Sequence, residues 1–100
     1  MERETFTFGL RGMTERQAYH YVESLRLGLS EFDGLVAHGR SSRTKTGWSL
    51  TFGWLDARYV SAFRHSAFYA RLALSPNVVD FRDIAESVET DVTSELAVAA

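Results

Sequence analysis

The sequence of 100 residues predicts a single α+β domain in which a four-stranded antiparallel sheet carries two helices on one face. Two observations lead to this prediction. First, the pattern TFGL at residues 7–10 recurs as TFGW at 51–54, and the similar patches LGLS and LALS follow 19 or 20 residues after each phenylalanine. Second, each half of this repeat reads as an alternating strand, an amphipathic helix and a weaker strand. The predicted order of elements is therefore βαββαβ.

The first strand and helix are predicted from periodicity and capping. Apolar side chains alternate with Thr and Gly from Phe6 to Leu10, which is the period of a strand with one buried face. Thr14 and Gln17 form a capping-box pattern at the start of a helix over about 15–28. The apolar residues of that helix fall on one stripe, which consists of Ala18, Tyr21, Val22, Leu25 and Leu29.

The second half repeats this pattern with more aromatic residues. Large apolar side chains alternate with Ser, Thr and Gly over 48–54, and Asp56 can cap a second helix that runs to Pro76. Weaker strand signals at 34–40 and 77–82 complete the two halves. The predicted stripe of the second helix consists of Tyr59, Val60, Phe63, Ala67, Ala70 and Leu74.

Two split βαβ units with right-handed crossovers form the ferredoxin-like arrangement, in which the first and third strands are central. We expect this domain to cover residues 1–83, and residues 84–100 to form an acidic C-terminal extension that is helical or partly disordered. The large side chains of strand 48–54 share one side of the strand, so all of them should face the helices. The opposite face is small and uncharged over the central strands. It should either be open to solvent or be covered by a second copy, another protein or the extension.

The composition indicates a cellular compartment and excludes some kinds of chemical site. The chain has no cysteine, which excludes disulfides and thiolate metal sites, and its start is charged rather than apolar. It also lacks an apolar run of the roughly 18–20 residues that cross a bilayer. We therefore expect a cytoplasmic protein that does not contact a membrane. His20, His38 and His65 lie on different predicted elements without a second ligand nearby, so no metal or cofactor is predicted.

Charge is distributed unevenly, with +5 over residues 34–79 and −5 over 80–100. The segment 38–46 should join two strands as a basic hairpin, and it contains three cations, Arg40, Arg43 and Lys45, among four hydroxyl side chains. Such groups are suited to phosphate contact. The alternative is a polar hairpin tip whose charge only favours solubility.

A second candidate surface lies on the polar side of the second helix. Phe68 and Leu72 fall outside the predicted core stripe and are bordered by Arg64 and Arg71. An exposed aromatic–aliphatic pair beside arginine is typical of a protein contact patch. The alternative is that this helix is covered more deeply than its stripe indicates.

The segment from Gly12 to Arg16 has the spacing from glycine to arginine of the anion-binding loop of acylphosphatases, and GLVAH at 34–38 lies roughly where that family has Gly-x-Val-x-Asn. The sequence thus resembles acylphosphatases, which share the predicted fold. The resemblance implies a hydrolase whose loop ends at Arg16. It departs from the family at Glu15, where an aromatic residue is expected, and at His38, where the asparagine is expected.

The sequence shows no paired acids at catalytic spacing, no nucleophile constellation and no recognised nucleotide loop. We therefore predict a small non-catalytic protein-interaction module, a regulator, adaptor or inhibitor of the kind that phages and mobile elements encode, rather than an enzyme. Its expected partner is another protein or a second copy of the chain. Two alternatives stay open: a nucleic-acid-binding protein that uses the basic hairpin 38–46, and an acylphosphatase-like hydrolase.

Overall fold

The structure is a computed structural model that describes residues 1–88. Its elements are β1 (Glu2–Leu10), α1 (Glu15–Leu29), β2 (Leu35–Arg43), β3 (Trp48–Trp54), α2 (Ala57–Arg64), α3 (Ala67–Leu74) and β4 (Val78–Ser87). The four strands form one antiparallel sheet in the order β2-β3-β1-β4. The first and third strands are therefore central, and the predicted ferredoxin-like α+β arrangement is confirmed.

Helix α1 forms as its sequence predicts. The Gln17 backbone N–H donates to Thr14 Oγ1 at 3.1 Å, and the Thr14 N–H donates to Gln17 Oε1 at 2.9 Å. This capping box satisfies two N–H groups that would otherwise lack partners at the helix start. The predicted stripe faces the sheet, with Ala18, Val22, Leu25 and Leu29 buried.

The predicted second helix is two helices. Helix α2 ends at Arg64, and Ser66 starts α3 by accepting the Tyr69 N–H on its Oγ at 3.1 Å. A serine hydroxyl competes with the helical backbone for hydrogen bonds, which favours a cap over a helix interior. The break turns α3 about its axis, so Leu72 is 2% exposed whereas Leu74 is 81% exposed. The prediction of one helix with Leu74 in its core stripe was wrong.

The aromatic strand β3 faces the helices as predicted. Leu50, Phe52 and Trp54 are fully buried on that side, and Phe63 of α2 packs against Trp54 with ring centroids 5.2 Å apart. The opposite side of the sheet, here called the open face, carries small polar residues on its central strands: Thr5, Thr7, Ser49 and Thr51. Strand β3 is therefore a core strand, with Leu50, Phe52 and Trp54 directed toward the helices.

Strand β4 is longer than predicted. It continues to Ser87, which pairs with Glu2, so residues 84–87 extend the sheet and are not the start of a helical extension. The predicted domain boundary at residue 83 therefore lies inside a strand. Residues 89–100, which include most of the predicted extension, lie outside the described residues. No helix within residues 1–88 is long and apolar enough to cross a membrane.

Candidate active site

A group of polar side chains lies buried between the sheet and the α2–α3 pair. Glu4 occupies the same side of β1 as Phe6, and strand alternation therefore directs its carboxyl group into the core, where it is fully buried. Asp83 is brought to the same region because β4 pairs with β1 and places Asp83 opposite Phe6. The buried polar cluster consists of Glu4, Trp54, Arg64, Tyr69 and Asp83.

Hydrogen bonds and one shared cation connect this cluster. Trp54 Nε1 donates to Glu4 Oε1 at 2.9 Å, and Arg64 Nε donates to Glu4 Oε2 at 3.1 Å. The same Arg64 Nε lies 3.0 Å from Asp83 Oδ2, to which the Tyr69 hydroxyl donates at 2.9 Å. Asp83 Oδ1 is buried and has no hydrogen-bond partner within the described part of the chain. Two carboxyl groups thus share a single guanidinium.

This arrangement keeps a proton on Glu4. Burial raises the pKa of Glu4 from 4.5 to about 8, and the hydrogen bond and charge of Asp83 also raise it, against the lowering effect of the bonds from Trp54 and Arg64. Burial, followed by the hydrogen bond to Asp83, raises the pKa of Tyr69 to about 12. At neutral pH the cluster therefore contains a neutral Glu4 carboxyl and a neutral Tyr69 phenol.

A groove with a volume of about 410 Å³ runs beside the cluster, on the helix side of the sheet. Arg64 belongs to both: its Nε contacts the buried carboxyl groups, and its side chain lines the groove with 37% of its area exposed. This volume is within the range of pockets that hold small organic molecules. The α2 groove, as we call it, is lined by Ala57, Val60, Ser61 and Arg64 of α2, by His65 directly after this helix, and by Glu2 and Ala85.

Residues 1–88 contain no group of three or more His, Asp or Glu side chains placed to hold a metal ion. The ionisable groups that the structure brings together are instead a carboxyl pair and an arginine. Such a site can transfer protons and can stabilise a negative charge on a bound molecule.

Of the three cations of the predicted basic hairpin, Arg43 and Lys45 line one pocket, and Arg40 is not among its lining residues. Arg40 pairs with Thr51 across the strands, and Lys45 is exposed in the turn. Arg43 bonds Glu15 of α1, with Nη2 2.7 Å from Oε1, and its guanidinium lies 5.2 Å from the centroid of Trp48. Because β2 extends to Arg43, most of the segment predicted as a hairpin tip is strand.

The predicted contact patch on the second helix is also dispersed. Leu72 is buried, and Phe68 packs against Phe32 and Phe63 with centroid separations of 5.6 and 5.9 Å. Arg71 is exposed, and Arg64 is 37% exposed while its Nε contacts the buried carboxyl groups. The expectation of an exposed apolar pair was wrong, because the break before Ser66 rotates both side chains toward the core.

Sequence reasoning missed Glu4 and Asp83. The sequence does contain a signal for both residues. Glu4 lies on the same side of β1 as Phe6 and Phe8, and Asp83 lies on the same side of β4 as Phe81. A carboxylate on the buried side of a strand needs a partner, and two of them on paired strands indicate a site.

No protein-family model matches the sequence, and a comparison with curated proteins gives no match. Solved structures with a similar fold are found. A "dabb family protein with a ferredoxin-like fold" from Mesorhizobium loti aligns with a TM-score of 0.71 at 14% identity, over 89% of this chain and 97% of that one. A "putative antibiotic biosynthesis monooxygenase" from Deinococcus radiodurans aligns with a TM-score of 0.66 at 15% identity, over 90% and 94% of the two chains.

A third neighbour is a conserved protein of unknown function from Bacteroides thetaiotaomicron, described as a "possible oxidoreductase". It aligns with a TM-score of 0.68 at 11% identity, over 87% of this chain and 96% of that one. At these identities the similarity shows the ferredoxin-like fold, which agrees with the prediction.

These descriptions contradict the functional prediction. The neighbours are a putative monooxygenase, a possible oxidoreductase and a DABB-family protein, and none is described as a protein-interaction module. The prediction of a non-catalytic regulator, adaptor or inhibitor was therefore wrong, as was the expectation that the chain is not an enzyme. The nucleic-acid-binding and acylphosphatase-like alternatives find no support among these neighbours either. Binding of a protein partner or a second copy stays a prediction.

Proposed function

We propose that the protein is an oxidoreductase that oxidises a small organic molecule in the α2 groove, with dioxygen as the oxidant. Two of the structural neighbours are described as a putative monooxygenase and a possible oxidoreductase. The single observation that carries the proposal for this chain is the groove-lining Arg64, held from behind by a buried pair of carboxyl groups.

The reaction that suits this site converts a methylene group next to a carbonyl into a second carbonyl group. One oxygen atom of dioxygen enters the product, the other leaves as water with the two hydrogens of the methylene, and the four electrons lost by the carbon reduce both oxygen atoms. The first step breaks a C–H bond and leaves its electron pair on the substrate, where the charge spreads to the carbonyl oxygen. A guanidinium at the groove wall stabilises this developing anion.

The proton on Glu4 makes Arg64 effective in this role. If both carboxyl groups were ionised, two negative charges would face one guanidinium, and the site would repel an anionic intermediate. With Glu4 neutral, the carboxyl pair carries no more than one negative charge beside Arg64, and the guanidinium can still stabilise a further negative charge. The buried partners also restrict the orientation of Arg64, which lowers the reorganisation needed when charge develops.

The proposal is tested by recording dioxygen uptake with a panel of small enolisable ketones, of which β-tetralone is the first. Ala57 lies in the groove wall, whereas Ala62 is exposed on the same helix and does not line the groove. We expect Ala57→Phe to fill the groove and lower kcat/KM by about tenfold or more, and Ala62→Phe to act as the matched control with unchanged kinetics. Absence of uptake with every compound, or equal kinetics of the two variants, would contradict the proposal.

A homodimer is a second proposal, and it rests on the open face of the sheet. The open face is poor in large side chains, and β4 contributes Ile84, which is 63% exposed. A second copy stacked there would leave the α2 groove accessible, because the groove lies on the helix side. Sedimentation should show a dimer that Ile84→Lys dissociates, and a monomeric wild type would contradict it.

The cytoplasmic location also stays a proposal, based on the lack of cysteine.

A further inference from the structure

His65 stands next to Arg64 in the α2 groove, and its hydrogen bonding determines which ring nitrogen carries the proton. The Nδ1 atom lies 2.7 Å from the carbonyl oxygen of Ser61. A carbonyl oxygen can only accept a hydrogen bond, so Nδ1 must be the protonated nitrogen in the neutral ring. Nε2 then has a free lone pair, and it has no hydrogen-bond partner among the described residues.

The backbone explains why the ring is held in this way. His65 is the C-cap of α2, directly after its last residue Arg64, and its own N–H also donates to the Ser61 carbonyl, at 3.2 Å. The side chain is exposed at the groove wall, and the contact of its Nδ1 with the Ser61 carbonyl gives the ring a defined tautomer there.

We infer that His65 is the general base of the groove, and that its Nε2 removes the proton from a small substrate whose carbon acid is adjacent to a carbonyl group. In this step the substrate C–H bond breaks, an N–H bond forms on Nε2, and the electron pair stays on the substrate as an enolate beside Arg64. The imidazolium returns its proton to water. The substrate class is an enolisable ketone or a related vinylogous acid, and this inference rests on the proposed function.

The charges around His65 suit this role. The charged side chains that line the groove with it are Glu2 from β1 and Arg64 from α2. Glu4 and Asp83 lie behind Arg64 in the buried cluster. The base and the group that stabilises the anion are consecutive residues of one helix end.

The test measures proton transfer without oxidation. Under strictly anaerobic conditions in D₂O, NMR follows exchange of the α-hydrogens of β-tetralone with solvent deuterium. We expect the wild type to accelerate this exchange and His65→Ala to lose about a hundredfold of that acceleration, since a positioned base contributes at least this much. Added imidazole should restore part of the rate in His65→Ala. His20→Ala is the matched control, because His20 is also exposed but lies on α1 outside the groove.

A second measurement does not depend on any ligand. The side-chain ¹⁵N shifts of His65 should show protonated Nδ1 and unprotonated Nε2 when the ring is neutral. The opposite tautomer, or exchange that is unchanged in His65→Ala, would overturn the inference. Absence of wild-type exchange with enolisable ketones would also overturn it. Exchange without dioxygen uptake would instead refute the proposed oxidation while leaving the assignment of His65 intact.

Discussion

Replacing Glu4 by Gln should make the protein more stable at neutral pH. The pKa of Glu4 is raised to about 8 in the folded protein, against 4.5 as its ordinary value. Between these two values the folded state holds a proton that the unfolded chain releases, so the free energy of unfolding falls as pH rises, by about 1.36 kcal/mol per pH unit. The contribution of Glu4 is most favourable below pH 4.5 and is lost progressively up to pH 8.

The size of the effect follows from these values. Between pH 4.5 and pH 7 the free energy of unfolding falls by about 3 kcal/mol, because the folded protein keeps a proton on Glu4 that the unfolded chain releases. Glutamine does not ionise and therefore avoids this loss. Glutamine can still accept the Trp54 N–H on its oxygen, but its amide nitrogen would face Arg64 Nε and lose that bond. A lost hydrogen bond to a charged group costs about 1.5 kcal/mol, which leaves a net gain of about 1–2 kcal/mol at pH 7.

Urea unfolding at several pH values between 5 and 9 provides the assay. The stability of Glu4→Gln relative to wild type should increase with pH across this range and level off above pH 8. Glu31→Gln is the control, because Glu31 is exposed, and its difference from wild type should stay near zero. A Glu4→Gln variant that is less stable than wild type by the same amount at every pH would refute the reasoning, since Glu4 would then be ionised in the folded protein.

Three further predictions concern packing and backbone, and urea unfolding checks each of them. Tyr69→Phe removes the hydroxyl that bonds Asp83 and should cost about 1–3 kcal/mol, whereas an unchanged stability would show that the carboxylate finds another donor. Leu72→Ala should cost about 2–5 kcal/mol and Leu74→Ala almost nothing, and the reverse order would mean that α2 and α3 are one continuous helix. Asp80 has a φ of 54°, so Asp80→Gly should relieve strain and raise stability by roughly 0.5 kcal/mol, and a clear loss would contradict the assigned backbone.

The fold could be predicted because most of its determinants are local. Strict alternation in β1 and β3 and the capping box at Thr14 each lie within a few residues of sequence. The break at Ser66 was missed because a serine within an apolar helical pattern does not show whether its hydroxyl caps a new helix. Whether Ser66 begins a new helix depends on the position of the core, because the core favours burial of Leu72 over Leu74.

The candidate site was less predictable because its members are distant in sequence. Glu4 and Arg64 are 60 residues apart, and they meet only when α2 packs across β1. The buried side of a strand can be inferred from its alternation, but the partner of a carboxylate there depends on helix packing that the pattern does not determine. Of the cations 40, 43 and 45, which are close in sequence, 43 and 45 line one pocket, where Glu15 of α1 pairs with Arg43.

The central claim, that the α2 groove oxidises a small molecule with dioxygen, is tested most directly by isotope labelling. The protein would be incubated under ¹⁸O₂ with β-tetralone, or with whichever ketone of the panel drives dioxygen uptake, and the product would be analysed by mass spectrometry. We predict one labelled oxygen atom per product molecule in the wild type and loss of product formation in Ala57→Phe. Product without label, or no product with any compound of the panel, would contradict the claim.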